Sequence, residues 1–461
     1  MSGKSIQPPI VSDVLEKNFE EVSPGFNTQE ASEEANRCLY CYDAPCINAC
    51  PTGINIPSFI KKIASGNLKG SAKTIMEANP IGASCARVCP TEELCEGACV
   101  LNYSTKPIMI GNLQRYATDW AIKNEQVLFK PGHKIGKSIA IIGAGPAGLS
   151  ASRELALLGH QVTIFEAKDK AGGLDTYGIV PFRLPQTISL WEVKQIESLG
   201  VDIRTNTEVG KDISIDEIMN NYDAVILTIG MSKVPMLGIK GEELEGIYDA
   251  IDLVEEVKTK GPQSLSKHFA GKRVAVIGAG NTAIDGATCS VRLGAENVQI
   301  LYRRTKEEMS AYGFEYEFAK LDGVEFRWLT NPKRIIGDEN GRVKQLECIR
   351  MTLGDTAHDG RRRPVEMKGS EFLMDVDVIV KAIGQTRYIK LIESLGIKHR
   401  HGVVEVNPKS FQTSNSKVYA AGDVIFGKGS GEAMVVSAAQ QGKEMAYAVH
   451  KDFKERQAKS V

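Results

Sequence analysis

The first clear pattern of apolar and polar positions lies between residues 137 and 167. Residues 138–142 are a short apolar run, residues 143–148 are rich in glycine, residues 149–158 place apolar side chains at helical spacing, and residues 161–165 are a second apolar run. A short apolar run that stops at glycine predicts a buried strand, and the spacing after it predicts a helix. The stretch therefore predicts a βαβ unit of a parallel sheet.

The turn inside this unit has the spacing of a dinucleotide-binding turn. In such a turn the first glycine permits the tight bend, the second lets the backbone approach a pyrophosphate, and the third lets the helix pack on the strand. Free N–H groups at the helix start then hold the anion. The residues are Gly143, Ala144, Gly145, Pro146, Ala147 and Gly148, and Glu166 closes the second strand, where a carboxylate can accept hydrogen bonds from ribose hydroxyls.

A second copy of the pattern spans residues 271–304, with Gly278, Gly280 and Ala283 at the three glycine positions. Its second strand ends in Arg303 and Arg304, and no acid stands there. Guanidinium groups donate hydrogen bonds in pairs and suit a 2′-phosphate, so this copy favours NADP over NAD. A solvated arginine pair at a strand end is the alternative interpretation.

A third pattern lies near the carboxyl end, where a short strand at residues 417–420 leads to Gly422 and Asp423 and a long helical pattern follows. Residues 222–230 and 376–384 are each an apolar strand followed by glycine. Together these patterns predict one FAD-binding domain that is interrupted by a smaller domain for the nicotinamide nucleotide. The predicted boundaries are 1–136 for an amino-terminal domain, 137–232 and 385–461 for the FAD-binding domain, and 233–384 for the NAD(P)-binding domain.

The amino-terminal quarter is distinguished by its cysteines, since eight of the ten in the chain fall between Cys38 and Cys99. Their spacing is C-x2-C-x4-C-x3-C-P-T, then C-x3-C-P-T, then C-x3-C. Closely spaced cysteines that end in Cys-Pro are typical of ferredoxins, and eight thiolates would suit two [4Fe–4S] clusters. The apolar residues Phe59, Ile60 and Ile63 between the blocks fall at helical spacing, so this domain is predicted to be helical.

Two other interpretations of these cysteines, disulfide bonds and a structural zinc site, have less support in the sequence. A disulfide framework requires an oxidising compartment, and the first residues lack the apolar core of a secretory signal. Structural zinc usually takes paired C-x2–4-C knuckles or histidines, whereas only Cys38 and Cys41 form such a knuckle and the cysteine region contains no histidine.

The overall composition limits which partners and which cellular location we expect for the protein. Lys and Arg total 56 against 57 Asp and Glu, a net charge of -1, so nucleic acid is an improbable partner and any anion site is local. The longest apolar stretch, residues 139–158, is interrupted by glycines and by charged residues, so no membrane span of ~20 apolar residues is predicted. We therefore expect a cytoplasmic protein without a membrane anchor.

In their order along the chain, these motifs resemble one flavoprotein family, that of the glutamate synthase small subunit and the amino-terminal part of dihydropyrimidine dehydrogenase. The motifs are the cysteine block, GAGPAGL, GGLDTYGIVPFRLP, GAGNTAID, YRR and AAGD, and the resemblance covers residues 36–451. It implies an α/β fold with two Rossmann-like domains, the second inserted in the first, preceded by an α-helical iron–sulfur domain. It also implies FAD, two [4Fe–4S] clusters and NADPH or NADH as cofactors.

The resemblance assigns ligands to the two clusters. One set is Cys38, Cys41, Cys46 and Cys99, and the other is Cys50, Cys89 and Cys95 with Gln114 as its fourth member. Dihydropyrimidine dehydrogenase has a glutamine at that fourth position, whereas glutamate synthase members tend to have glutamate, so Gln114 favours the pyrimidine branch. Cys85 is then left without iron, although it is the other candidate for the fourth ligand.

The same resemblance distributes the nucleotide-binding residues. The FAD-binding set is Gly143, Gly145, Pro146, Ala147, Gly148, Glu166, Gly173, Leu174, Arg183, Gly422 and Asp423. The nicotinamide set is Gly278, Gly280, Asn281, Thr282, Arg303, Arg304, Ala382 and Gly384. No catalytic acid or base is expected, because hydride transfer to a flavin requires close stacking and correct orientation.

The function expected is that of an NAD(P)H-oxidising subunit that passes electrons to another polypeptide. The leading hypothesis is a dihydropyrimidine dehydrogenase subunit whose partner is an FMN-containing barrel. The alternatives are the small subunit of NADPH-dependent glutamate synthase with its large subunit, a ferredoxin:NADP oxidoreductase, and a non-catalytic flavin-binding scaffold. Hetero-oligomerisation is expected, because clusters are useful only near an acceptor.

Overall fold

The computed structural model describes residues 12–231, 233–357, 360–427 and 433–459, so parts of all four predicted segments, including Ser232 at one boundary, lie outside the described residues. The helices are α1 (Ser12–Asn18), α2 (Thr28–Asn36), α3 (Pro45–Ala49), α4 (Ile56–Ala64), α5 (Leu68–Ala78), α6 (Gly82–Val88), α7 (Ile110–Lys123), α8 (Pro146–Leu157), α9 (Leu174–Tyr177), α10 (Gln186–Glu197), α11 (Ile215–Asn221), α12 (Ala250–Lys260), α13 (Gln263–Phe269), α14 (Asn281–Arg292), α15 (Gly313–Leu321), α16 (Ile389–Ser394) and α17 (Val435–Lys459). The strands are β1 (Ser138–Ile142), β2 (Gln161–Phe165), β3 (Asp202–Arg204), β4 (Ala224–Leu227), β5 (Ile247–Asp249), β6 (Arg273–Ile277), β7 (Asn297–Leu301), β8 (Glu325–Arg327), β9 (Thr330–Gly337), β10 (Val343–Thr356), β11 (Arg362–Glu366), β12 (Phe372–Asp375), β13 (Val378–Lys381), β14 (His399–Arg400), β15 (Val403–Val404) and β16 (Val418–Ala420).

Packing divides the described residues into two compact units. We call residues 23–176, 183–231 and 387–459 the outer unit, and residues 12–22, 177–182 and 233–386 the inserted unit. The outer unit contains the cysteine region together with the first and third nucleotide-binding patterns. The inserted unit contains the second nucleotide-binding pattern.

The main sheet of the outer unit has the strand order β16-β4-β1-β2-β3, and every neighbouring pair is parallel. Strands β1 and β4 lie inside this sheet and are apolar on both faces, because helices cover a parallel sheet from both sides. Strand β16 joins β4 although 190 residues separate Val418 from Thr228, the residue that follows β4. The predicted interruption of the FAD-binding domain is therefore confirmed at the level of sheet topology.

The cysteine region of the outer unit is helical, as predicted. Helix α4 begins after Asn55, whose side chain accepts a hydrogen bond from the Ser58 N–H, and its apolar face buries Ile56, Phe59 and Ile60. Helices α2, α4, α5 and α7 enclose one apolar core. Burial of this face holds short helices that would be marginal alone in water.

The inserted unit is built on a second parallel sheet with the strand order β5-β13-β6-β7-β8. Antiparallel strands β9, β11 and β12 pair with the long strand β10 and form an additional sheet. Helices α12 and α14 pack on the parallel sheet through Leu253, Val254 and Ile284. This arrangement is the second Rossmann-like unit that the repeated glycine turn predicts.

The inserted unit recruits chain segments that the predicted domain boundaries place elsewhere. Leu15 and Phe19, in and just after α1, pack in its core, and so do Val180 and Phe182 from the FAD-binding part of the sequence. The Phe19 and Phe182 ring centroids are 5.9 Å apart. Contacts between residues this distant in sequence leave no periodic signal, so the domain prediction could not include them.

None of the described helices combines the length and the apolar composition that crossing a membrane would require.

Candidate functional site

The first glycine turn of the outer unit has the backbone shape that the sequence predicts. Gly143 has φ +100°, and a Cβ placed on it would lie 2.6 Å from the Thr228 carbonyl oxygen. A Cβ on Gly148 would lie 2.1 Å from the Gly143 carbonyl oxygen. Any side chain at either position would therefore displace the backbone of the turn.

The middle of this turn is open in the way that a bound anion requires. Gly145 precedes α8, Pro146 is the first residue of that helix, and the nearest atom to a Cβ on Gly145 would be the Gly173 Cα at 3.9 Å. The first N–H groups of a helix have no partner within the helix, so those at the start of α8 are available to an anion here. The cradle fits the pyrophosphate of a dinucleotide, and Gly173, with φ +56°, lies across it.

Glu166 follows strand β2 beside this turn. Its carboxylate accepts the Ala144 N–H and the Lys168 N–H, each at 2.9 Å. These two bonds hold the side chain at the end of the strand, where the ribose of a bound dinucleotide is expected.

The turn after β16 closes against the same helix. A Cβ on Gly422, which has φ +77°, would lie 3.0 Å from the Ala147 Cβ, and the Gly422 N–H donates to Gln441 Oε1 at 2.8 Å. Asp423 is half-buried, and burial raises the pKa of its carboxyl group, an effect that Arg387 partly offsets. The structure thus brings Gly143–Gly148 and Gly422–Asp423 together around the start of α8.

The remaining residues of the predicted FAD-binding set are Leu174 and Arg183, and both belong to the outer unit. Leu174 begins α9 directly after Gly173 and is 40 % exposed. Arg183 is half-buried in the outer unit. Their roles stay predictions.

The second glycine turn, in the inserted unit, repeats the tight bend of the first. Gly278 has φ +126°, and a Cβ on it would lie 2.2 Å from the Ala382 carbonyl oxygen. The Ala382 N–H in turn donates to the Ile277 carbonyl oxygen at 2.9 Å. The predicted residues Gly278 and Ala382 therefore lie together at the carboxyl ends of β6 and β13, where open parallel sheets bind ligands.

The other predicted nicotinamide-binding residues near this turn have different environments. Asn281 Oδ1 accepts the Tyr312 N–H at 3.2 Å, so its side chain holds a neighbouring loop. Thr282 is exposed, and a Cβ on Gly280 would lie 3.2 Å from Ser310 Oγ. Gly384 has φ +99° with open space around its Cβ position.

The two arginines after β7 have different environments. The Arg303 side chain is exposed. Arg304 is 8 % exposed, and its Nε donates to the Arg362 carbonyl oxygen at 2.8 Å. Arg304 thus has a structural hydrogen bond, and Arg303 is the more accessible of the two to the phosphate of a nucleotide.

The first cysteine set comprises Cys38, Cys41, Cys46 and Cys99, and the structure brings all four together. They line one pocket whose other walls are mostly apolar, including Ile56 and Ile60. Burial, reinforced by Cys38 and Cys99, raises the pKa of the Cys46 thiol to about 11. Four thiols around a shared apolar volume fit an iron–sulfur cluster.

The second cysteine set comprises Cys50, Cys89 and Cys95, and the first two act electrostatically on the third. Burial raises the pKa of Cys95 well above its usual value, and Glu96, Cys89 and Cys50 add to this effect. Cys85 is buried beside this set and shares a hydrogen bond with Cys89, which is the largest cause of its own raised pKa. Within the described part of the chain, no three His, Cys, Asp or Glu side chains converge on a point that one metal ion could occupy.

Gln114 is buried on α7, and its Nε2 donates to the Gly82 carbonyl oxygen at 2.7 Å. Because that bond uses the amide nitrogen, Oε1 is the atom that remains to act as a ligand. Gly82 begins α6, the helix that carries Cys85 and ends next to Cys89. Both candidates for the fourth ligand, Gln114 and Cys85, are therefore tied to α6.

Three ionisable side chains of the flavin-binding half, Glu192, Arg153 and Lys443, reach the cysteine region, and sequence patterns indicate none of them. Glu192 on α10 accepts the Ala83 and Ser84 N–H groups at 2.7 and 3.0 Å and contacts the Ser84 hydroxyl. Arg153 on α8 donates to the Met76 and Glu77 carbonyl oxygens at 2.8 and 2.7 Å. Lys443 on α17 donates to the Thr52 and Ala78 carbonyl oxygens at 3.1 and 2.8 Å.

Two family models match parts of the chain. Residues 15–126 match the family model described as dihydropyrimidine dehydrogenase domain II, 4Fe-4S cluster, and residues 137–442 match the model described as pyridine nucleotide-disulphide oxidoreductase. The chain belongs to the pyridine nucleotide-disulphide oxidoreductase family. Within that family it is an NAD(P)H-dependent flavin iron–sulfur oxidoreductase, with FAD and [4Fe–4S] clusters as its cofactors.

Relatives within the family align along most of the chain. The glutamate synthase [NADPH] small chain of Escherichia coli is 34 % identical over 442 residues, which cover 93 % of this chain and 92 % of the relative. The NAD-dependent dihydropyrimidine dehydrogenase subunit PreT of Salmonella typhimurium is 34 % identical over 94 % of this chain and 96 % of the relative. The NADP(+)-dependent formate dehydrogenase subunit beta of Moorella thermoacetica is 35 % identical, and the match spans 59 % of its length.

Solved structures support the fold of the nucleotide-binding parts. FprA of Mycobacterium tuberculosis in complex with NADPH has a TM-score of 0.59 at 21 % identity, covering 70 % of this chain and 86 % of FprA. Thioredoxin reductase of T. acidophilum has a TM-score of 0.52 at 22 % identity, covering 68 % and 99 % of the two chains. The predicted fold class, two Rossmann-like domains preceded by a helical iron–sulfur domain, is confirmed.

Proposed function

We propose that this chain is the NAD(P)H-oxidising subunit of a two-component dehydrogenase, which delivers electrons singly to a partner polypeptide. The observation that carries the proposal is the presence of two nucleotide turns and two cysteine sets in one chain, with the second set joined to the flavin-binding half through Glu192 and Lys443. A bound flavin supplies the exchange between a two-electron donor and one-electron acceptors. The protein binds and orients the groups between which electrons pass.

The partner we favour is an FMN-containing, barrel-type dihydropyrimidine dehydrogenase subunit. Gln114 supports this choice, because a buried amide oriented by the Gly82 carbonyl oxygen matches the glutamine of the pyrimidine branch. The similarity to PreT, which is named as a dihydropyrimidine dehydrogenase subunit, agrees with it. The substrate would then be a pyrimidine that the partner reduces.

A glutamate synthase small subunit is the second candidate, favoured by Arg303. That side chain is exposed at the end of β7, where a 2′-phosphate of NADPH would lie, and the similar glutamate synthase small chain is named as NADPH-linked. Its partner would be the glutamate synthase large subunit.

Reconstitution with separately purified partners tests the choice. The chain is purified without oxygen and mixed with an FMN-containing dihydropyrimidine dehydrogenase subunit, or with a glutamate synthase large subunit. We expect uracil-dependent oxidation of NAD(P)H with the first partner. Oxidation that requires glutamine and 2-oxoglutarate with the second partner, and none with the first, would contradict the pyrimidine assignment.

The nucleotide preference is tested separately with an artificial dye as acceptor. We expect Arg303→Ala to raise the KM for NADPH by about tenfold or more and to leave the KM for NADH unchanged, because it removes a charged hydrogen bond to the 2′-phosphate. Arg304→Ala is the matched control and should act mainly on stability, since Arg304 holds the Arg362 carbonyl oxygen. Equal KM changes for both nucleotides in Arg303→Ala would remove the NADP assignment.

A further inference from the structure

Helix α17 contacts both the flavin turn and the second cysteine set. Gln441 on this helix accepts the Gly422 N–H at 2.8 Å. Near its amino end, Val436 and Ala439 pack against Cys85 and Cys89. One rigid element therefore connects the two places between which electrons would pass.

Lys443 is the charged side chain of α17 that enters the cysteine region. Its Nζ donates to the Thr52 carbonyl oxygen at 3.1 Å and to the Ala78 carbonyl oxygen at 2.8 Å. Thr52 lies two residues after Cys50, and its Oγ1 is 3.4 Å from the Cys50 Sγ. The ammonium group is thus fixed in the Cys-Pro-Thr loop of the second cysteine set.

Lys443 forms no direct ion pair with a carboxylate of the described residues. Among the described residues, no carboxylate lies within ion-pair distance of its Nζ, although Glu154 and Glu444 act on it from farther away. Arg153, which reaches the neighbouring carbonyl oxygens of α5, pairs with Glu154 at 3.1 Å. Of these two cations, Arg153 has a carboxylate in direct contact, and Lys443 has carboxylates only at longer range.

We propose that Lys443 raises the reduction potential of the cluster held by the second cysteine set, and so favours that cluster as the first acceptor of electrons from the flavin. The proposal rests on the proposed electron-transfer function. Each electron that arrives there adds one negative charge and neither forms nor breaks a bond, and NAD(P)H is its source. A fixed, half-buried cation stabilises the reduced state, because the field of a charge is weakly screened away from water.

The first cysteine set provides an internal reference. Its pocket is lined by residues of the cysteine region alone, and none of its lining residues belongs to α17. Removal of the Lys443 charge should therefore change one cluster and leave the other as it was.

The test is an anaerobic redox titration of the full-length protein, followed by electron paramagnetic resonance. The variants are Lys443→Met, Lys443→Gln and Lys443→Arg. At the potential that reduces half of the wild-type second cluster, we expect the ratio of reduced to oxidised cluster to fall about tenfold in Lys443→Met and Lys443→Gln. Lys443→Arg keeps the charge and should stay close to wild type.

Lys451→Met is the matched control for net charge. Lys451 lies on the same helix, its side chain is 78 % exposed, and its loss changes the charge of the protein by the same amount. We expect no shift, because solvent and salt screen an exposed charge.

Each outcome decides between the alternatives. A wild-type second-cluster potential in Lys443→Met, equal shifts of both clusters, or a wild-type potential in Lys443→Gln would overturn the role of the charge. If Lys443→Met loses its second cluster, a Lys443→Arg protein that keeps the cluster but has a strongly lowered potential would overturn it equally. Absence of iron from the wild-type protein after reconstitution would instead overturn the proposed function, and the inference with it.

Discussion

The two cysteine sets are built from the same residue type but have different surroundings. The first set lines a pocket formed by residues between Cys38 and Ile110, and in this stretch of chain Leu39, Tyr42 and Tyr103 are 61 %, 99 % and 94 % exposed. The second set is contacted by ionisable side chains of the flavin-binding half, Glu192 and Lys443. The difference suggests an order, with the second set nearer the flavin and the first nearer a partner.

Loss of one cysteine from each set is the strongest test of this order. We expect Cys89→Ser and Cys38→Ser each to lose about four of about eight iron atoms per chain, because a cluster rarely survives with an incomplete ligand set. Cys89→Ser should abolish reduction of the first cluster by NAD(P)H, whereas Cys38→Ser should leave the second cluster reducible. Iron analysis and paramagnetic resonance measure both, and the opposite result would reverse the order.

The fourth ligand of the second set can be identified by comparing variants of its two candidates, Gln114 and Cys85, and the expected loss of iron is smaller. We expect Gln114→Ala to weaken or remove the second cluster alone, because it deletes the amide oxygen that the Gly82 bond leaves available. Cys85→Ser should keep both clusters. Iron content and the resonance of each variant decide the assignment, and loss of iron in Cys85→Ser with full iron in Gln114→Ala would make Cys85 the ligand.

Glu192, which contacts α6 beside the second set, is expected to make the free energy of unfolding depend on pH. Burial raises the pKa of its carboxyl group to about 8, and Asp175 adds to this effect while the Ala83 and Ser84 donors oppose it. Because the folded-state pKa lies above the unfolded value, the folded protein binds the extra proton, and the free energy of unfolding falls as pH rises from about 4.3 to about 8.

Glu192→Gln removes this titration. We expect its free energy of unfolding to depend less on pH over that range than that of the wild type, and denaturant unfolding at several pH values measures the difference. Glu197→Gln on the same helix is the control. Parallel pH profiles for wild type and Glu192→Gln would show that the carboxyl group does not take up the proton.

The smallest effect is expected beside the first set. Tyr42→Ser should change the free energy of unfolding by less than about 0.5 kcal/mol and should keep both clusters, because Tyr42 is almost fully exposed. Thermal unfolding and iron analysis provide the measurement. A large loss of stability would mean that the surroundings of the first set depend on this surface.

The parts of the molecule that the sequence predicts well are local. The turns at Gly143 and Gly278 each fall within a continuous strand-turn-helix pattern, so spacing alone indicates their shape. The cysteines of the first set that precede α4 are also close in sequence. The grouping of Cys99 with them required a resemblance to a known family, because the chain between them folds as helices.

The unpredicted parts depend on contacts between distant residues. Lys443 reaches Thr52 across 391 residues, and Glu192 reaches Ser84 across 108. Arg303 and Arg304 look equivalent in sequence, yet in the bend that follows β7 one is exposed and the other is buried. Periodicity describes single elements and cannot report such pairings.

The placement of α17 and β16 has a consequence for biosynthesis. Residues 233–386 leave the ribosome as one continuous piece, whereas the sheet of the outer unit still lacks β16, and the Cys-Pro-Thr loop still lacks Lys443. Completion of the flavin-binding sheet and of the surroundings of the second cluster therefore waits until β16 and α17 have been synthesised. A nascent chain that stalls before α17 would expose both unfinished centres at once.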